Sequence, residues 1–285
     1  MKANSLIQEL SQAFFNIVDS AEEFDLLALK ADNLKRLGDI AFRRNQLDES
    51  ESFYLRGLEL YEKMGDEKGM ADIYNDLGTI ACCRGDWPHA VSLLERSLDV
   101  ADQISARPIL GKAYNTLGIA HIIQEKYSQA LSYLREALNQ FEHIEDNRGI
   151  AEVLNNLGLC YARQRMPLKA GEYYERAIRH ANKAGDAFMT AICYMQRADL
   201  CNQISDYRVA RFYCNHALEL FQTMGAPHSA GTNVSQYRNT GVHLTSKDYL
   251  KKAIAICGEI ENQAFDTEAF VNDLCEKNSG PTGGR

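Results

Sequence analysis

The chain has 285 residues and a net charge of −8, with 45% hydrophobic and 25% charged residues. That balance suits a folded protein with a sizeable core, and the negative field argues against nucleic acid, whose phosphates require a basic stripe. No stretch is apolar enough to span a membrane, and the opening MKANSLIQELSQAFFNIV is interrupted by Gln8, Glu9 and Gln12. It does not read as a secretory signal, so neither a membrane nor a secretory route is expected and a cytoplasmic location is.

Residues 4–18 read as an amphipathic helix with Leu6, Ile7, Leu10, Phe14, Ile17 and Val18 on one side, an N-terminal cap within 1–19. From about residue 20 a repeat takes over. Leu37-Gly38, Leu77-Gly78, Leu117-Gly118 and Leu157-Gly158 stand 40 residues apart, and the next step lands on Arg197-Ala198. A fixed period of this size marks stacked helix-turn-helix units, so one elongated all-α solenoid is expected over 20–260. Its units run about 20–65, 66–105, 106–145, 146–185 and 186–225, with a divergent sixth at 226–260. Asp86 ahead of Trp87-Pro88 is a good helix start, an acidic cap with proline where no donor is lost. Gly65, Gly185 and Gly225 fall at the ends of second helices, where glycine takes the left-handed capping conformation.

Beyond Gly225 the pattern degrades through Pro227, Gly231 and Gly241, and recovers over 247–260. Residues 261–277 are expected to form a C-terminal capping helix on Phe265, Phe270, Val271 and Leu274, followed by a disordered tail at 278–285.

The repeated small residues predict close helix packing. Gly38, Gly78, Gly118 and Gly158 on first helices are expected to meet second helices carrying Ala90, Ala130, Ala170 and Ala210. Large residues such as Leu154, Leu157, Tyr161 and Tyr174 interdigitate with them.

Leu154, Leu157, Gly158, Tyr161, Ala170, Tyr174 and Ala177 meet, in order, the pattern of the tetratricopeptide repeat, and the chain resembles that family over about 31–225. The 40-residue period and the lead-ins Asp66, Gly69, Ala71 and Asp146, Gly149, Ala151 resemble a longer-helix subclass. That subclass includes kinesin light chains, Pins/LGN-type adaptors and peptide-pheromone receptors. The third and fifth units lack the full lead-in, with Ser105-Ala106-Arg107-Pro108 and Gly185-Asp186-Ala187-Phe188 in its place. The resemblance implies a right-handed superhelix of five to six repeats whose first helices line a concave groove.

One register position resists a packing explanation. Asn75, Asn115 and Asn155 recur in consecutive first helices, although asparagine is a mediocre helix former. Its amide offers both donor and acceptor, which suits it to an extended peptide backbone. The resemblance likewise implies that Asn75, Asn115 and Asn155, with Asn156, bind peptide. The competing reading is that these amides bridge neighbouring repeats. Lys112, Thr79, Ile119, Ile122, Leu159 and Asn202 are expected on the same surface, with Lys35, Asp39, Asp72, Glu152, Arg163, Gln196 and Asp199.

No catalytic set is evident, so no enzyme, cofactor or metal is expected. The seven histidines have no metal-ligand spacing, and His121 occupies a tyrosine-equivalent packing position. The eight cysteines form no C-x-x-C pair and are expected as reduced, packed thiols. The expected function is a non-enzymatic adaptor binding a protein or peptide in the groove. A homo-oligomeric scaffold assembled through the sixth unit and terminal helices, or a peptide-sensing regulator, are the alternatives.

Overall fold

A computed structural model describes residues 24–224 and 255–256. The expected N-terminal helix, sixth unit, C-terminal helix and tail lie outside the described residues. Ten helices follow one another from residue 24: α1 Phe24–Arg43, α2 Leu47–Met64, α3 Glu67–Arg84, α4 Trp87–Gln103 and α5 Arg107–Ile123. Then come α6 Tyr127–His143, α7 Asn147–Arg163, α8 Pro167–Lys183, α9 Ala187–Gln203 and α10 Tyr207–Met224. Each odd-numbered helix packs antiparallel on the next even one, giving an all-α solenoid of helix pairs. Among the described residues, no helix is long and apolar enough to cross a membrane.

The turns explain why the period is so regular. A left-handed residue recurs every 20 positions: Asn45, Gly65, Gly85, Ser105, Glu125, Glu145, Arg165, Gly185 and Ser205, with φ between 53° and 75°. The residue after each donates its N–H back to the carbonyl five positions earlier, as Gln46 does to Ala41 at 3.0 Å and Asp146 to Phe141 at 3.0 Å. This Schellman closure satisfies the final carbonyls of each helix and offsets the cost of a left-handed side chain. Glycine is therefore optional in these turns, and only three of them use it. Asp66, Asp86, Asp146 and Asp186 cap the following helices; Asp186 accepts from the Met189 N–H at 2.9 Å.

Within each pair the small residue on the first helix meets a large one on the second. A methyl carbon built on Gly38 would lie 2.5 Å from the Tyr54 ring, and one on Gly158 2.6 Å from Tyr174. Gly78 and Gly118 face Leu94 and Leu134 in the same way. Ala90, Ala130, Ala170 and Ala210 are fully buried alongside. In the fifth pair the glycine becomes Ala198, and the register-equivalent large residue shrinks to Cys214. The larger residue on one helix is met by a smaller one on the other.

The same trade explains the two incomplete lead-ins. Gly69 abuts Tyr61, and Gly149 abuts Phe141, with built methyl carbons 2.3 and 2.4 Å from the rings. Where the preceding second helix carries Ala101 or Ala181 instead, the glycine position is filled by Ile109 or Met189, both buried. The lead-in glycine answers an aromatic ring eight residues earlier.

Curvature follows from which helices touch. The first helices α3, α5, α7 and α9 pack on one another across repeats, while the second helices make no comparable contact among the described residues. The stack therefore bends toward the first helices, which form its inner wall and are buried on nearly every side. Helix α5, for example, buries Ile109–Gly111, Ala113 and an unbroken run from Asn115 to Ile122.

Candidate functional site

Among the polar side chains that cross the seams between first helices, one series joins a residue to the one 41 positions later. Lys35 Nζ lies 3.1 Å from the Asp76 carboxylate. The Thr116 hydroxyl donates to Asn75 Oδ1 at 3.2 Å, and Asn156 Nδ2 donates to Asn115 Oδ1 at 2.9 Å. The next rung would join Asn155 to Gln196. It is not made: Asn155 is 1% exposed, and neither its Oδ1 nor its Nδ2 has a partner.

Most of the positions expected on the peptide surface lie inside the wall of first helices. Asn75, Asn115, Asn155, Asn156, Thr79, Ile119 and Ile122 are all buried. Asn115 is spent on both sides, accepting from Asn156 and donating to Glu152 Oε1 at 2.9 Å. The Thr79 hydroxyl donates to the Asn75 carbonyl at 2.9 Å. The register that carries these asparagines faces the neighbouring repeat, where Asn75 and Asn115 each accept from the next first helix. The competing reading, amides bridging repeats, holds for Asn75, Asn115 and Asn156. Lys112 is exposed, its ammonium 3.1 Å from Asp72; Leu159 and Asn202 are half-buried, as are Gln196 and Asp199, and Arg163 is exposed.

The sequence model of the tetratricopeptide repeat matches residues 69–143 and 149–223. The chain belongs to the tetratricopeptide-repeat family. No curated protein matches the sequence. Among solved structures, BtubC from P. vanneervenii superposes with a TM-score of 0.64 at 18% identity, covering 78% of this chain and 93% of that one. NprR in complex with its cognate peptide NprX gives 0.64 at 11% identity, covering 95% of this chain and 71% of that one. The apo form of RapI gives 0.54 at 13% identity, with coverage of 87% and 88%. At such identities the likeness is one of fold.

In this tetratricopeptide-repeat chain the loss of the repeat leucine at Arg197 is compensated by a cluster that its sequence pattern did not reveal. Arg197 Nε lies 3.4 Å from Glu175, its guanidinium stands 5.5 Å from the Tyr213 ring centre, and the Tyr213 hydroxyl bonds the same Glu175 carboxylate. Arg148 Nε reaches the buried Asp186 at 2.7 Å, tying the start of α7 to the cap of α9.

Charge on the inner wall is organised around Asp72, which lies 2.9 Å from Lys35 and 3.1 Å from Lys112, so one carboxylate links three repeats. Burial alone would raise its pKa, but Lys112 and Lys35 pull it well below the usual carboxylate range. Glu152 has no such pair. Burial pushes its carboxyl up to about 8, with Arg148, Lys112 and the Asn115 hydrogen bond offsetting only part of the penalty. The fold therefore holds this proton more tightly than the unfolded chain does. Its stabilising effect is complete below the ordinary value of 4.5 and is lost as pH rises toward about 8. In urea unfolding, Glu152→Gln is expected to exceed the parent in stability by ~1–3 kcal/mol at pH 9 and to match it near pH 5, since buried unpaired charge is costly. Parallel pH profiles for the two proteins would refute this account.

Among the described residues, Cys82, Cys83, Cys160, Cys193 and Cys201 are free thiols. Burial pushes the first three up to about 12, 11 and 11, so none is an activated nucleophile. Cys214 departs from the expected reduced state: it is disulfide-bonded, with its partner outside the described residues. His121 stacks on Tyr133 at 5.2 Å, and burial lowers its pKa, in keeping with a packing histidine. No group of residues suited to hold a metal occurs among those described.

Proposed function

We propose that the chain is a non-enzymatic adaptor that binds a peptide or protein segment along the wall of first helices. The observation that carries this reading is the unmade fourth rung. A buried amide with both atoms unpartnered costs about 1–3 kcal/mol per lost bond, so such groups are rare without a reason. An extended backbone offers one carbonyl and one N–H at matched spacing, the complement of what Asn155 lacks. Leu159 one turn further on, Gln196 and Asp199 across the seam, and exposed Arg163 supply apolar and charged contacts beside it. Membership of the tetratricopeptide-repeat family and the peptide complex formed by NprR favour the same kind of ligand.

The test uses peptides selected from a phage-displayed library on the full chain. Asn155→Leu is expected to weaken the selected peptides by about tenfold or more, the loss of roughly 1.4 kcal/mol in polar contacts, while thermal stability does not fall. Unaltered affinity, or cross-links mapping to the second helices, would refute this mode of binding. Asn115 is not a suitable probe, because its removal would break the seam itself.

A further inference from the structure

We propose that the segment held on this wall presents a lysine or arginine side chain to Glu152. The inference rests on the adaptor reading above and adds the chemistry of the guest. Glu152 lies on α7 three residues before Asn155, is 9% exposed, and has the Asn115 amide as its hydrogen-bond donor at 2.9 Å. An ionised carboxylate has room for about four donors, so one amide leaves most of its capacity unused.

The cations near it are already committed. Lys112 on α5 stands against Asp72, and Arg148, one turn earlier on α7, stands against Asp186. Lys35 on α1 is shared between Asp72 and Asp76. Lys35, Lys112 and Arg148 are thus balanced by Asp72, Asp76 and Asp186, and Glu152 is the surplus carboxylate of the cluster. Asp146, at the cap of α7, adds to the negative field at Glu152.

The direction of the amide chain points the same way. Asn115 Nδ2 donates to Glu152, so Asn115 Oδ1 must accept, Asn156 must donate to it, and Asn156 Oδ1 is left buried without a partner. One amide donates to the carboxylate, the next donates to that amide, and the leftover atom is a further acceptor. What the seam lacks is a cationic donor. A guest ammonium or guanidinium would supply the missing counter-ion, and the carboxylic acid would release its proton as the pair forms.

The experiment uses the full chain and a positional-scanning library of acetylated hexapeptide amides. Pools fixed as lysine or arginine at one position should be captured about tenfold better than pools fixed as glutamine there, a modest value for a desolvated charge pair. Calorimetry at pH 7 in phosphate and in Tris should report about one proton released per peptide bound, as linkage requires. Glu152→Gln should abolish both the basic preference and the proton release while still capturing other pools. The proton count needs no variant, so it stands even if Glu152→Gln folds poorly. Capture of neutral or acidic pools alone, or basic capture without proton release, overturns this inference and leaves the adaptor reading intact. Capture of no pool at all overturns both.

Discussion

Gly149→Ile is expected to destabilise the chain by about 3 kcal/mol or more, and Phe141→Ala in the same molecule to restore much of that loss. The lone substitution puts a branched side chain where a methyl carbon already lies 2.4 Å from the Phe141 ring. Overpacking a close-packed site costs typically ~1–3 kcal/mol, and a ring pressed from two helices gives way least. Gly111 presses on the same ring from α5, with its built methyl carbon 2.7 Å away, so Phe141 has no room to withdraw. Phe141→Ala alone should cost ~3–5 kcal/mol by emptying that space. Together the two changes refill it, as the chain itself does with Ala101 beside Ile109 and Ala181 beside Met189. A double-mutant cycle by urea unfolding should return a favourable coupling of about 2 kcal/mol or more. Additive losses would mean that the lead-in glycine is kept for some reason other than the ring.

That pair also marks how far the sequence could be read. Equivalence between repeats is a property of one strand of text: residue n and residue n+40 look alike, and from this the helices, the small-large packing and the family were all legible. Contact across a seam is a property of how neighbouring units are rotated, and here the amide series joins n to n+41 while Asp72 and Glu152 are reached from n−37. Nothing in the spacing of Asn75, Asn115 and Asn155 distinguishes a row facing a groove from a row facing the next helix. The packing of each first helix on the next decides it, and that packing buries nearly the whole of each first helix. The turns were half legible for a similar reason. Gly65 and Gly185 announce a left-handed cap, but Glu125, Glu145 and Arg165 take the same conformation under the Schellman bonds with no residue-type signal. Arg197 was visible as a missing leucine, while its partners Glu175 and Tyr213 lie on other helices and share no motif with it.

Asn155→Leu is expected to stabilise the free chain by ~1–2 kcal/mol, and Asn115→Leu to destabilise it by ~2–3 kcal/mol, although the two asparagines are register-equivalent and equally buried. The difference lies in what each amide touches. Leucine at 155 removes two unpartnered polar atoms and replaces them with apolar surface of similar volume, a change that is favourable when nothing was bonded before. Leucine at 115 strips Glu152 of its donor and Asn156 of its acceptor, leaving both buried without compensation. For a chain of this size, a gain or loss of 1 kcal/mol moves the midpoint by about 2–4 °C, so the opposite signs are easily resolved by thermal or urea unfolding. Were Asn155→Leu to lower stability as Asn115→Leu does, its amide would have a partner in the free chain and the fourth rung would be closed. A gain in stability together with a loss of peptide capture would separate the two roles: the first rungs hold the solenoid together, and the fourth is held open at a cost that the ligand removes.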